Sequence, residues 1–78
     1  MILGIYSIRD ELAGNFGNLM VINEKVIQRT CKWMADEMEK KDCDDKKVYR
    51  LGQYDTETGE IKPEQPKIEF NLEEAKNG

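Results

Sequence analysis

Histidine is absent from the sequence, and cysteine occurs only twice, at Cys31 and Cys43. Without an imidazole, no Ser-His-Asp or Cys-His catalytic set can be built from this chain. Two thiols also fall short of the four nitrogen or sulfur ligands that a structural zinc site usually takes from a protein. The composition therefore argues against hydrolases of these classes and against a zinc site built by this chain alone.

Long apolar runs are missing as well, since no segment approaches the roughly 20 residues that a membrane-spanning helix needs. The first residues, MILGIYSIRDEL, have no basic segment ahead of their apolar part and reach a charge at Arg9, so no signal peptide is expected. A reducing cytoplasm with free thiols is the default expectation, although a Cys31–Cys43 disulfide is conceivable. We expect Cys31 in the core and Cys43 in an exposed loop.

Other motifs that carry chemistry are incomplete. The segment GNFGN (14–18) lacks the lysine of a phosphate-binding loop, and the acidic cluster at 42–45 lacks the glycine and terminal glutamate of a calcium loop. Asp55 and Glu57 lie in a predicted turn, where carboxylates commonly bond to backbone amides. We therefore expect a protein that is not an enzyme and that holds no cofactor and no metal.

Charge is distributed unevenly along the chain. Residues 1–50 contain nine Lys/Arg and nine Asp/Glu, whereas residues 51–78 contain three and seven, which accounts for the net charge of −4. A general electrostatic attraction to nucleic acid is therefore not expected. Any such binding requires a local basic patch.

Hydrophobic patterning predicts two strands followed by one helix. The β-branched and aromatic run at 2–8 favours a strand, residues 9–18 have the glycines and asparagines of a loop, and the apolar run at 19–22 suits a second strand. Asn23 is a candidate N-cap for a helix over 24–41, whose apolar residues follow helical spacing. That apolar stripe consists of Ile27, Cys31, Met34 and Met38.

The stretch VYRLGQYDTETGEIK (48–62) predicts a β-hairpin. Gly52 indicates a bulge or a close backbone approach, Asp55 and Gly59 supply turn chemistry, and Pro63 is expected to end the pairing. The predicted fold is α+β: a small antiparallel sheet of about four strands in ββαββ order, with one helix packed on one face.

A chain of 78 residues has a small core, and such domains commonly gain stability from a partner. We predict one domain over 1–63 and an acidic C-terminal tail over 64–78. Ile68, Phe70 and Leu72 alternate with polar residues in this tail, so we expect them to dock as a strand on a second copy or another partner. A frayed acidic tail is the competing interpretation. A homo-oligomer, a dimer or larger, is the expected state.

Three motifs follow one another within residues 2–63: YSIRDELAGNFG, LMVINEKVIQRTCKWMADE and YRLGQYDTETGEI. This ordered set resembles the small nonstructural protein family of gokushoviruses, which are single-stranded DNA phages of the Microviridae. The matching positions are Tyr6, Ser7, Asp10, Ala13, Gly14, Asn23, Ile27, Arg29, Gly52, Tyr54, Asp55, Thr58 and Gly59. The chain departs from the family at 18–20 and at 42–47, where a proline with aromatics and a His-Pro-like segment are usual. The resemblance implies a nonstructural phage protein, made in the cytoplasm of a bacterial host, with a replication-accessory or DNA-binding role.

Basic and aromatic side chains offer a candidate nucleic-acid-binding surface. Lys25, Arg29 and Lys32 have the spacing of one helix face, and Trp33 or Tyr54 could stack on bases. An ordinary solvated helix face is the competing interpretation. With basic residues of neighbouring strands added, the candidate set is Arg9, Lys25, Arg29, Lys32, Trp33 and Arg50.

The expected function is that of a non-enzymatic phage accessory protein in replication or packaging, which binds single-stranded DNA as a homo-oligomer. The alternative is a module that binds a bacterial host factor through a sheet edge or the acidic tail. A minor assembly or structural protein is the third hypothesis. No membrane partner is expected.

Overall fold

Two β-hairpins form one sheet in the computed structural model, which describes residues 1–77. The sheet is antiparallel throughout and has the order β2-β1-β3-β4. Its strands are β1 (Ile2–Asp10), β2 (Asn15–Ile22), β3 (Lys46–Asp55) and β4 (Ile61–Asn71). Within the described residues the helices are α1 (Ile27–Glu37), α2 (Lys40–Cys43) and α3 (Leu72–Asn77). The predicted α+β class, the ββαββ order and the packing of a helix on one face are confirmed.

The core lies between these helices and the sheet face that carries Tyr6 and Val48. This side of the sheet is called the helix-covered face below. The opposite side, called the open face, carries no helix within the described residues. The fully or almost fully buried apolar residues of the core are Tyr6, Ile27, Cys31, Ala35, Cys43, Val48 and Leu72. Met34 and Met38 of the predicted stripe pack at its border, whereas Ala35 was not predicted.

Helix α1 is shorter than the helix predicted over 24–41. Asn23 Oδ1 accepts a hydrogen bond from Lys25 N at 2.8 Å, and Asn23 O accepts one from Val26 N at 3.0 Å. Asn23 therefore closes a turn ahead of the helix, and Val26 occupies the N-cap. At the other end, Met38 is extended, with φ −82° and ψ 149°, and the helix stops.

The segment after α1 is a short helix rather than the predicted loop, and it buries Cys43 completely. The prediction of an exposed Cys43 is therefore wrong. The physical reason is that α2 and α3 both contribute to the core, where Cys43 and Leu72 belong to one buried cluster. Asp45, just before β3, has φ +60°, a left-handed conformation that aspartate tolerates better than most residues.

The turn between β1 and β2 is closed by Asp10 and Gly14. Gly14 N donates to Asp10 O at 2.8 Å, and Asp10 Oδ1 accepts from the amides of Leu12 and Ala13 at 3.0 Å each. Gly14 has φ +78°, which glycine adopts without the steric cost of a Cβ. Residues 10–14 therefore fix where the first hairpin reverses.

The turn between β3 and β4 repeats this chemistry. Gly59 N donates to Asp55 O at 2.8 Å, Asp55 Oδ1 accepts from Glu57 N at 2.9 Å, and Gly59 has φ +79°. The turn roles predicted for Asp55 and Gly59 are confirmed. Both hairpins thus use an aspartate followed four residues later by a left-handed glycine.

Strand β3 is irregular at Gly52. Arg50 lies opposite Tyr6 and Gly52 lies opposite Ile5, so the strand has an extra residue at this point. A Cβ on Gly52 would overlap the carbonyl oxygen of Lys62 in β4. Both predicted features of Gly52, a bulge and a close backbone approach, are confirmed.

Strand β4 crosses the domain boundary predicted at residue 63. Pro63 pairs with Gly52, and the strand continues to Asn71. Proline is compatible with an edge strand because its missing N–H can face solvent. Residues 64–77 therefore belong to the same sheet and core, which corrects the prediction of a separate tail.

The three apolar residues predicted to share one side of that tail are separated by the fold. Tyr49 pairs with Ile68 and Val48 pairs with Phe70, so Glu69 is the extra residue of a bulge. This bulge places Ile68 on the open face and Phe70 on the helix-covered face. Leu72 starts α3 and is buried in the core, so it is unavailable to a partner.

The turn aspartates are expected to make stability depend on pH. Bonds from backbone amides, chiefly of Ala13 to Asp10 and of Glu57 to Asp55, lower the pKa of both carboxyls. A carboxyl whose pKa is lowered by folding stabilises the protein above its unfolded pKa of about 3.9 and loses that contribution as pH falls through the folded pKa. We expect the variant Asp10→Asn/Asp55→Asn to lose less unfolding free energy than the parent on acidification below about pH 4, measured by urea denaturation.

Asp36→Asn/Asp42→Asn makes the same change in charge at exposed positions of α1 and α2 and serves as the control. An equal flattening of the acid profile in this control, or none in the turn variant, would contradict the role of the turn carboxylates.

Substitution of Leu72 tests whether α3 is part of the core. Leu72 is 0% exposed and Leu12 is 83% exposed, so one substitution can be compared in two environments. We expect Leu72→Ala to lower the free energy of unfolding by about 2–5 kcal/mol, and Leu12→Ala to change it by less than about 0.5 kcal/mol. Urea denaturation measures both, and equal small losses would show that α3 does not pack on the sheet.

Candidate nucleic-acid interface

Four of the six residues predicted to bind nucleic acid lie together on the outside of the helix layer. Lys25 is in the turn before α1, and Arg29, Lys32 and Trp33 follow within the helix. All four are exposed, and Trp33 is 63% exposed. The inner side of α1 is occupied by its core residues, so these four share the outer side. They are called the α1 surface below.

The α1 surface combines a flat apolar ring with positive charge. Arg29, Thr30 and Trp33 border a shallow depression of about 280 Å³. Within residues 1–77, the ion pairs to carboxylates involve other cations, and Lys25, Arg29 and Lys32 take part in none of them. Their charge is therefore available to an anionic partner.

Arg50 is separate from this surface because it is held by two carboxylates. Its Nε donates to Glu64 Oε1 at 2.8 Å, and its Nη1 donates to Glu24 Oε2. Its guanidinium lies 6.0 Å from the centroid of the Tyr6 ring on the helix-covered face. The hydrogen bond that Arg50 donates to Glu64, followed by the one that it donates to Glu24, raises the pKa of Arg50 further above its ordinary value. Arg50 therefore links β3 to β4 and to the turn before α1.

Arg9 lies on the open face, on the opposite side of the sheet from α1. Its guanidinium is 5.0 Å from the centroid of Phe16, and its Nε is 3.6 Å from Glu11 Oε1. The Tyr49 hydroxyl donates to the same Glu11 oxygen at 2.7 Å, which raises the pKa of Tyr49, and its ring meets Phe16 edge-on at 5.4 Å. Arg9 therefore belongs to a different cluster. Tyr54, opposite Leu3 in the sheet, does not reach α1 either.

In residues 1–77, no three or more His, Cys, Asp or Glu side chains converge on a point where they could hold a metal ion. None of the helices there has the length and apolar character needed to cross a membrane.

The fold defines a small α+β protein in which one antiparallel sheet carries helices on a single face. The chain belongs to the Phage ORF5 protein family, whose model matches residues 3–75. No curated protein and no solved structure matches it. The expected phage origin is confirmed at the level of this family, and the narrower gokushovirus assignment stays a prediction.

Many of the residues that carried the family resemblance have structural roles. Five of them close turns: Asp10, Gly14, Asn23, Asp55 and Gly59. A sixth, Ser7, is fully buried and donates from Oγ to Gly17 O at 3.0 Å, where β2 bulges. The shared pattern therefore reports the fold more than a binding site.

Both thiols are expected to react slowly in the native protein. Cys31 and Cys43 are fully buried, and burial raises the pKa of Cys31 to about 11. Because the thiolate is the reactive form, an aromatic disulfide reagent at about pH 8 should modify neither cysteine until guanidinium unfolds the chain. Leu12→Cys, at an exposed position, supplies a fast-reacting reference thiol. Rapid modification of a thiol in the folded parent protein would contradict the burial of that cysteine.

Proposed function

We propose that this member of the Phage ORF5 family is a non-enzymatic accessory protein of a gokushovirus-type phage, which binds single-stranded DNA through the α1 surface. It would act in replication or packaging, in the cytoplasm of the bacterial host. The observation that carries the proposal is the exposed Trp33 beside three cations that take part in no ion pair within residues 1–77. The resemblance to gokushovirus nonstructural proteins supports the biological setting.

The chemistry of the α1 surface fits a single strand better than a duplex. Proteins that bind single strands combine a basic track for the backbone with aromatic rings on which bases stack. Arg29 and Lys32 are about 4.5 Å apart along the axis of α1, with Lys25 in the turn ahead of the helix and Trp33 next to Lys32. Such contacts involve phosphates and the face of a base, so the proposed binding is independent of sequence.

The negative net charge of the chain does not oppose this binding, because several carboxylates are engaged elsewhere. Glu24 and Glu64 are bonded to Arg50, and Asp10 lies 3.6 Å from Lys46. Screening also limits the reach of exposed charges to about 8–10 Å at physiological salt. A locally cationic surface can therefore exist on a chain of net charge −4.

The alternative function, binding of a bacterial host factor, has a narrower basis in this fold. Residues 61–77 form β4 and α3, so the acidic segment would meet such a partner as part of the folded surface and not as a free tail. A host-factor function predicts no shift of a single-stranded oligonucleotide at low salt, which separates it from the proposal.

Charge reversal of the α1 surface should abolish DNA binding. We expect Lys25→Glu/Arg29→Glu/Lys32→Glu to remove the shift of a labelled oligothymidine at low salt. In the parent protein, three phosphate contacts should give a slope of log Kobs against log salt of about −2. The matched control is Lys40→Glu/Lys41→Glu/Lys62→Glu, which changes net charge equally at exposed cations that are paired with carboxylates. Equal loss in both variants would contradict a site on α1.

Trp33 provides an independent measurement because it is the only tryptophan in the sequence. Stacking on a base should quench its fluorescence on addition of the oligonucleotide. Trp33→Ala should weaken binding by about 1–3 kcal/mol without changing the unfolding midpoint, and Trp33→Phe should retain part of the affinity. Unchanged affinity in Trp33→Ala would contradict the stacking role, even if the charge reversal still reduces binding.

A further inference from the structure

We propose that β2 is an interaction edge on which a second copy of this chain pairs in antiparallel fashion, so that two four-stranded sheets join into one of eight strands. This proposal is independent of DNA binding, since α1 contributes nothing to it.

The two edges of the sheet have opposite chemistry. Exposed edges offer free N–H and C=O groups, and proteins commonly protect them with proline, lysine or other charges. Edge strand β4 contains Pro63 and Pro66 with interspersed lysine and glutamate, whereas edge strand β2, NFGNLMVI, contains no proline and no charge. The β4 edge is therefore protected against pairing and the β2 edge is open to it.

Apolar side chains flank the β2 edge on both faces of the sheet. On the open face, Leu19 is 66% and Val21 is 48% exposed, with Phe16 beyond them. On the helix-covered face, Met20 and Ile8 border a concavity of about 480 Å³. An added strand would cover apolar groups on both faces while its backbone completes the ladder.

A second copy suits this edge because β2 is complementary to itself. Antiparallel pairing about a two-fold axis brings each strand against its own sequence, and an uncharged strand then meets no like charge. An edge of 8 residues is about 27 Å long, so a second copy can form a ladder along a full strand length. The bulge at 17–18 leaves Leu19–Ile22 as a regular segment for pairing.

A two-fold axis that joins two antiparallel edge strands into one sheet is perpendicular to that sheet and passes through a pair of equivalent residues. We place it at Leu19, near the centre of β2. Leu19 would then lie close to its own copy across the interface. A lysine there would bring two like charges together, which disfavours association. Since Leu19 is largely exposed in the single chain, its substitution should leave the fold of each copy intact.

The test compares Leu19→Lys with Ile68→Lys by analytical ultracentrifugation at high micromolar concentration, with circular dichroism to verify folding. Ile68 is 50% exposed on the open face at the β4 edge, so it is a matched control on the same face of the sheet. We expect the parent protein and Ile68→Lys to be dimers, and Leu19→Lys to raise the dimer dissociation constant at least about tenfold. Mixing Leu19→Lys with Leu19→Glu should restore a dimer, because opposite charges then meet at the axis.

A parent protein that remains monomeric overturns the proposal, as expected for an edge reserved for a host protein. Dissociation of both lysine variants would indicate that the open faces pack together instead, and this also overturns edge pairing. A persistent monomer in the mixture of Leu19→Lys and Leu19→Glu would contradict the position of the axis. If DNA binding by the α1 surface fails while the dimer is found, this proposal stands and only the proposed function is lost.

Discussion

The buried ring of Tyr6 is the constraint around which the two layers of this protein are arranged. The ring lies over Gly4, where any Cβ would overlap the hydroxyl group, and the helices cover it from the other side. Burial raises the pKa of Tyr6, and in residues 1–77 its Oη has no hydrogen-bond partner. A buried unpartnered polar group is unfavourable by about 1–3 kcal/mol, so the apolar contacts of the ring must exceed this cost. The requirement for glycine at position 4 follows from that placement.

The Tyr6 ring also adjoins an ion-pair network at the surface. Arg50 lies beside the ring and engages Glu24 and Glu64. Glu24 adjoins Lys25 in sequence, but its carboxylate is directed to Arg50. The cations at the start of α1 are thereby left without that acidic neighbour. An interaction in the interior of the fold is thus connected to the electrostatics of the outer helix surface.

The parts of the fold that depend on local pattern could be predicted from the sequence. Alternation and turn residues identified the existence of four strands, the Asp55–Gly59 turn and the inward placement of Ile27 and Cys31. Residues 15–18, predicted as loop, are the first half of β2. The length of β4 could not be predicted, since whether a proline ends a strand depends on which edge it occupies. Burial of Cys43 likewise depends on α3, which follows it by almost 30 residues.

The candidate site likewise combines residues that local pattern could place with residues that it could not. Lys25, Arg29, Lys32 and Trp33 are close in sequence, and helical spacing alone places them on one side. Arg9 and Arg50 could not be placed, because the face of a strand residue depends on register and on the bulges in β2 and β3. The partners of Arg50 are 26 and 14 residues away, and no local signal identifies them.

Hydrogen bonds of the Asp45 backbone connect three parts of the chain, and they have a consequence for folding. Its carbonyl accepts from Glu11 N and its amide donates to Glu73 Oε2, both at 2.7 Å. The two hairpins have short turns and can close within microseconds, but β1 must find β3 across the segment 23–45. Closing that long loop loses conformational entropy before the contacts between β1 and β3 can stabilise the chain. We therefore expect docking of the preformed hairpins to limit the folding rate. The two hydrogen bonds of Asp45 lie where the hairpins meet. They can therefore form only after the hairpins have docked in the correct register.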